Sequence, residues 1–173
     1  FMVGDFVRDK DAVTSTLLAC EIAAYTKANN SSFFNELVNT YVEHGFYKER
    51  LISITKKGIE GSQEIKTIME SARNNPVGSI NGSKVVTVED FKLSISKNLS
   101  TNTTEPISIP KADVLIYTTE DGSEVALRPS GTEPKIKFYI SVNTSLSSAT
   151  EFSQTENALD AKIDAIIKDM KLI

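Results

Sequence analysis

Strict alternation of side-chain character over residues 135–142 constrains the fold more than any other feature of the chain. Its apolar members are Ile136, Phe138, Ile140 and Val142. A period of two residues places them on one face of a β-strand. The intervening residues Lys135, Lys137 and Tyr139 would then face solvent or a ligand. This strand must be half-buried, so the chain needs a sheet with helices or a second layer over one face.

Shorter patterns predict the remaining elements. The predicted helices cover residues 11–28, 31–44 and 62–73, with a last helix beginning at a capping box of Ser148 and Glu151. The predicted strands cover residues 46–55, 84–90, 113–118 and 123–128, and the polar stretch 97–105 reads as a loop. This order predicts an α+β fold, in which helices lie on one face of a mainly antiparallel sheet.

Apolar residues at helical spacing predict which side chains of the first two helices are buried. They are Val13, Leu17, Cys20 and Ala24 in the first helix, and Phe34, Leu37, Val38 and Tyr41 in the second. Asp9 or Asp11 can cap the first helix, and Gly45 follows the second where a left-handed C-terminal cap is expected. The polar residues 29–32 between the two helices are typical of a linker.

Composition narrows the class of function. The 173 residues carry a net charge of −4, which argues against a general nucleic-acid-binding surface. No apolar run approaches the ~20 residues of a membrane span. The single cysteine, Cys20, cannot form an internal disulfide. The single histidine, His44, lies at a predicted helix end, where it is more typical of a dipole partner than of an acid or base. No metal-ligand spacing is visible, so we expect no metal site in this sequence.

The turn before the alternating strand has the chemistry of an anion-binding loop. Its donors are Arg128, Ser130, Thr132, Lys135 and Lys137. An arginine offers a planar fork of donors, hydroxyls add further donors, and lysines two apart on a strand project from one face. Gly131 lets the backbone approach a ligand or take a positive φ. The alternative interpretation is an ordinary proline- and glycine-rich surface turn.

Two motifs carry a family resemblance. The run RPSGTEPKIKFYI, residues 128–140, resembles the C-terminal phosphate-binding loop of the α-D-phosphohexomutases, the phosphoglucomutase and phosphomannomutase family. The run GDFVRDKDAV, residues 4–13, is similar to a second motif of the bacterial phosphoglucomutase branch. The resemblance implies the last part of a longer, four-domain enzyme. Residues 1–30 would end the third domain and residues 31–45 would form a connecting helix or hinge. Residues 46–173 would be the phosphate-binding fourth domain, with a TATA-binding-protein-like arrangement.

The resemblance also implies roles for single residues. Those matching the family's substrate phosphate site are Arg128, Ser130, Gly131, Thr132 and Lys137. Lys10 matches a lysine that contacts the sugar phosphate. The catalytic phosphoserine and the Mg²⁺ ligands of such enzymes would lie upstream, so the resemblance implies no catalytic or metal-binding residue here and no activity for this part alone.

The implied activity of the intact enzyme is the cytoplasmic interconversion of glucose 1-phosphate and glucose 6-phosphate through glucose 1,6-bisphosphate. The implied partners are the sugar phosphate and the remaining domains of the same enzyme, without nucleic acid or membrane. Two alternatives stay open: a phosphomannomutase or another phosphohexomutase, and a non-catalytic domain that binds phosphorylated sugars. The resemblance further implies a hinge motion of the last domain around residues 29–32 or 44–46.

Overall fold

The computed structural model describes residues 4, 7 and 9–172, which form two compact units. The first comprises the described residues of Phe1–Phe46 together with Ser145–Phe152. The second comprises Tyr47–Thr144 and Ser153–Ile173, of which residues 47–144 and 153–172 are described. None of the helices in these residues has the length and apolar character needed to cross a bilayer.

Two helices, α1 (Ala12–Ala28) and α2 (Phe33–His44), make up most of the first unit. Asp11 begins α1, because its carboxylate accepts hydrogen bonds from the backbone N–H of Thr14 at 3.0 Å and from the Thr14 hydroxyl. These bonds hold the pKa of Asp11 below its usual value. Ser32 begins α2 by accepting from the backbone N–H of Asn35 at 3.1 Å. Both starts are the polar caps that the sequence offers.

The predicted burial of the two helices is largely wrong. The exposed residues are Val13, Leu17, Cys20 and Ala24 on α1 and Phe34 and Leu37 on α2. Spacing fixes which residues share a helix face but not whether anything covers that face, and the helix that α1 contacts here is α2. Of the α2 residues, only Val38 is fully buried. Tyr41 instead stacks on Phe46 at a centroid distance of 4.3 Å, and Phe46 stacks on Phe152 at 5.1 Å.

The second unit is built around a sheet of eight strands. They are β1 (Phe46–Thr55), β2 (Ser79–Ile80), β3 (Ser83–Asp90), β4 (Ile95–Asn98), β5 (Thr103–Pro106), β6 (Leu115–Thr119), β7 (Glu124–Pro129) and β8 (Lys135–Thr144). The helices are α3 (Gly58–Asn74) and α4 (Phe152–Asp169). The strand order is β1-β8-β7-β6-β3-β4-β5, and β2 pairs with β3. Pairings from β3 to β8 are antiparallel, which confirms the α+β prediction.

The segments that differ from expectation are polar ones. Residues 97–105 are not a loop but part of the β4–β5 hairpin, whose turn is held by Asn98 Oδ1 accepting from the N–H groups of Ser100 and Thr101. A solvent-facing edge hairpin can carry a polar composition that reads as a loop. The capping box is also wrong, because the Ser148 hydroxyl pairs with Thr150 and a short 3₁₀ turn, Ala149–Glu151, precedes α4.

Glycine 45 and the start of α3 also depart from the prediction. Gly45 has φ 95° and ψ 151°, so its φ is positive, but its conformation is not that of a left-handed helical cap. The third helix begins at Gly58, four residues before the predicted start. Asn74 ends it close to the predicted position.

The alternation over residues 135–142 is confirmed, and it defines the core. The buried strand residues include Leu115, Tyr117, Val125, Leu127, Ile136, Phe138, Ile140 and Val142. Helix α3 lies against this face, where the Tyr117 hydroxyl donates to the Ala72 carbonyl at 2.7 Å. Helix α4 is held to β1 by the ion pairs of Lys48 and Arg50 with Asp160. The residues between the buried ones on the strands, such as Arg128, Lys137 and Tyr139, lie on the opposite face of the sheet, which we call the open face.

Candidate anion-binding site

The loop 130–134 joins β7 to β8 and is ordered by its own hydrogen bonds. The backbone N–H of Ser130 donates to the Lys135 carbonyl at 2.8 Å, which closes its base. The Ser130 Oγ accepts from the N–H groups of Thr132 at 3.4 Å and Glu133 at 3.3 Å. These last two bonds are long, so both N–H groups are weakly engaged. The loop is therefore shaped in advance while its donors stay available to a ligand.

Gly131 stands at the open tip of the loop. It is exposed, and a Cβ added there would meet nothing within 4 Å. It is absent from the described glycines with positive φ, so the loop does not need the conformation that only glycine adopts easily. Of the two uses expected for this residue, unobstructed backbone approach is the one that the geometry allows.

Arg128 and Lys137 face each other across β7 and β8. They are direct cross-strand partners, and both side chains lie on the open face. Arg128 is exposed and Lys137 is half-buried. Among the described residues neither has an ion-pair partner. Like charges directly opposite each other are destabilising, so this pair is an arrangement that a bound anion would relieve.

The structure thus brings five of the predicted residues together. Arg128, Ser130, Gly131, Thr132 and Lys137 lie on one loop and its two flanking strands. The other nearby lysine, Lys135, is engaged with Glu133 at 3.1 Å. Two cations, loop N–H groups and hydroxyls at one strand end make a set of donors suited to a phosphate.

A cleft that the sequence did not predict lies behind the loop, on the side that α3 covers. Its volume is about 470 Å³, and it is lined by Ile65, Lys66, Met69, Arg73, Lys92 and Pro129–Pro134 among others. Arg73 is held there by ion pairs with Asp90, at 3.0 Å, and with Asp113. The lining residues outside Pro129–Pro134 are scattered over residues 62–113, so no local motif signals them. Arg128 and Lys137 do not line it, because their side chains lie on the open face.

Lys10 belongs to the first unit, whereas the loop 130–134 belongs to the second. Its side chain is exposed, and its Nζ lies 2.9 Å from Asp9 Oδ1. Within the same motif, residues 5, 6 and 8 lie outside the described residues. The lysine is therefore accessible, and its predicted contact with a sugar phosphate stays a prediction.

The structure also gives the position of the single histidine and the arrangement of the side chains that could bind a metal. His44 is the last residue of α2, is exposed and lies 3.9 Å from Glu43. No group of three or more histidine, cysteine, aspartate or glutamate side chains in this part of the chain is placed to hold a metal ion.

A comparison with models of protein families identifies the family to which the chain belongs. Residues 64–159 match the family model described as phosphoglucomutase/phosphomannomutase, C-terminal domain. The chain belongs to the phosphoglucomutase/phosphomannomutase family. The matched range contains the part of α3 from residue 64 onward, all strands from β2 to β8 and the whole loop 130–134.

Two similar proteins from Staphylococcus support the same family. The chain is 38% identical over 143 residues to a phosphoglucomutase of Staphylococcus haemolyticus, and 40% identical over 142 residues to one of Staphylococcus aureus. These alignments cover 83% and 82% of the chain but 26% of each relative, so the chain spans about a quarter of their length. The solved open form of the Paramecium phosphoglucomutase parafusin overlaps 94% of the chain and 28% of its own, with a TM-score of 0.47 and 13% identity.

Proposed function

We propose that this chain is the substrate-phosphate clamp of a phosphoglucomutase. The observation that carries the proposal is the Arg128–Lys137 pair, which has no ion-pair partner among the described residues. It lies beside a loop in which the N–H groups of Thr132 and Glu133 make only long hydrogen bonds. In this role Arg128, Ser130, Gly131, Thr132 and Lys137 hold the phosphate that is not being transferred. Binding energy from that remote group orients the reacting end of the sugar.

The proposed reaction interconverts glucose 1-phosphate and glucose 6-phosphate through glucose 1,6-bisphosphate. The phosphoryl group would move on and off a serine outside this sequence, and Mg²⁺ would neutralise the developing charge there. In this proposal the clamp contributes positioning alone, and this portion would be inactive by itself. We place the intact enzyme in the cytoplasm, with its other domains as partners.

The proposal also assigns parts of the chain to domains. Residues 1–30 would end the third domain, with Lys10 as a further contact to the sugar phosphate. Residues 31–45 would be the connecting helix, and residues 46–173 would form the C-terminal domain. Closure of this domain over the substrate would follow from a hinge at residues 29–32 or 44–46.

Calorimetric titration of the 173-residue chain tests the clamp directly. We expect glucose 1-phosphate and glucose 6-phosphate to bind with a Kd of about 1 mM, the range of a few charged hydrogen bonds at an exposed site. Unphosphorylated glucose should not bind at the same concentrations. Equal binding of all three sugars, or of none, would contradict the proposal.

The identity of the sugar requires the intact enzyme. A coupled assay should show a higher kcat/KM for glucose 1-phosphate than for mannose 1-phosphate if the enzyme is a phosphoglucomutase. The reverse order would make it a phosphomannomutase with the same clamp.

A further inference from the structure

A shallow hollow lies on the open face next to the Arg128–Lys137 pair. Its volume is about 500 Å³, within the range of small-molecule sites. The side chains that matter here are Leu51, Ile116, Ala126 and Tyr139, with Glu49 and Glu124. All belong to β1, β6, β7 and β8. Rigid strands thus carry every part of the hollow.

The register fixes how the hollow relates to the cation pair. Ile116 lies opposite Ala126, and Ala126 lies opposite Tyr139. The Arg128–Lys137 pair is two residues further along the same two strands and on the same face. Two residues of a strand span about 7 Å. An anion held by Arg128 and Lys137 therefore has the Tyr139 ring as its next neighbour along the strands.

The hollow also has a chemical polarity. Tyr139 is 39% exposed and Leu51 is 48% exposed, so an apolar floor is accessible to a ligand. Glu49 and Glu124 are exposed and have no ion-pair partner among the described residues. Carboxylates accept hydrogen bonds from hydroxyl groups, whereas they repel a phosphate. A ligand with a phosphate at one end and hydroxyls at the other is thereby oriented.

We propose that this hollow is a subsite for the pyranose ring of the bound sugar phosphate. The ring lays its C–H face on Tyr139, Ala126 and Ile116, and Glu124 accepts a hydrogen bond from a sugar hydroxyl. Aromatic and aliphatic floors with a few placed polar groups are typical of such sites. This inference rests on the proposed phosphate clamp, to which it adds contacts that recognise the sugar rather than its phosphate.

Affinities for two probes separate the sugar contacts from the phosphate contacts. The 173-residue chain is titrated with glucose 6-phosphate and with inorganic phosphate, as wild type and as Tyr139→Ala. We expect the variant to weaken glucose 6-phosphate binding roughly fivefold, as expected for losing a small buried apolar contact, with phosphate binding unchanged. Glu124→Gln should likewise weaken the binding of glucose 6-phosphate and leave the binding of inorganic phosphate unchanged. Tyr139→Phe should retain wild-type affinity for both probes.

Tyr47→Ala is the matched control, because Tyr47 is an exposed tyrosine of β1 that does not line the hollow. It should leave both affinities unchanged. The proposed subsite is overturned if Tyr139→Ala changes the affinities for both probes equally or changes neither affinity. The Arg128→Ala variant distinguishes a failure of the subsite from a failure of the phosphate clamp. If the clamp exists, this variant must bind both glucose 6-phosphate and inorganic phosphate more weakly. If Arg128→Ala leaves phosphate binding intact, the proposed function itself fails.

Discussion

Replacing Arg128 by alanine should separate ligand binding from stability. The guanidinium is exposed, lies opposite Lys137 and has no ion-pair partner in the described chain. We therefore expect its removal to leave the free energy of unfolding unchanged or to raise it by a few tenths of a kcal/mol, because a like-charge contact is relieved. Loss of charged hydrogen bonds to a phosphate costs about 1.5–3 kcal/mol, which is roughly a 10- to 100-fold increase in Kd.

Two measurements on the same protein samples test this separation. Urea unfolding without ligand should give a free energy of unfolding equal to or slightly above that of the wild type. Calorimetry with glucose 6-phosphate should show the weakened binding. Arg128→Lys is the control, because it keeps the charge and loses the planar fork, so its affinity should fall between the two. A clear loss of stability with unchanged affinity would mean that Arg128 is structural, and the reasoning would be refuted.

Three further predictions concern the framework of the site. Arg73→Ala should destabilise the second unit by about 2–3 kcal/mol in urea unfolding, because it removes the cation paired with the carboxylate of Asp90, whose side chain is 7% exposed and would keep only its hydrogen bonds from backbone N–H groups. Burial raises the pKa of Tyr117 to about 12 from 10.0, so its contribution to stability is complete below pH 10 and is lost as pH rises from about 10 to 12. Tyr117→Phe should abolish this part of the alkaline loss and cost about 1 kcal/mol for the missing hydrogen bond at neutral pH, and an unchanged pH profile would contradict the assignment. Gly61→Ala should lower the free energy of unfolding by about 1–2 kcal/mol in spite of better helix propensity, because the new Cβ would lie 2.5 Å from Lys56 Cβ; a stabilised variant would show that α3 can shift.

The sheet could be predicted from the sequence where a local pattern and its burial coincide. Ile136 and Val142 are fully buried and Lys137 is not, as the period of two requires. The turn at residues 120–122 is likewise a local signal, with Gly122 at φ 77° between β6 and β7. In both places the information lies within a few consecutive residues.

Features that depend on distant partners could not be predicted. Leu17 has the right helical spacing but is 68% exposed, since spacing carries no information on what covers a face. The polar β5 looked like a loop because an edge strand has no apolar face to reveal it. The loop's donor types were evident from sequence. The strand register, which the sequence does not give, makes Arg128 and Lys137 direct cross-strand partners on the open face. The cleft behind the loop depends on the packing of α3, which is equally distant in sequence.

Phosphate titration of the ¹⁵N-labelled chain by NMR tests the central claim most directly. Inorganic phosphate would compete with the Ser130 hydroxyl for the N–H groups of Thr132 and Glu133, whose present bonds are 3.4 and 3.3 Å long. We predict saturable chemical-shift changes that are largest at residues 130–133 and that extend to Arg128 and Lys137. Absent changes, or changes centred on other parts of the chain, would contradict the phosphate clamp.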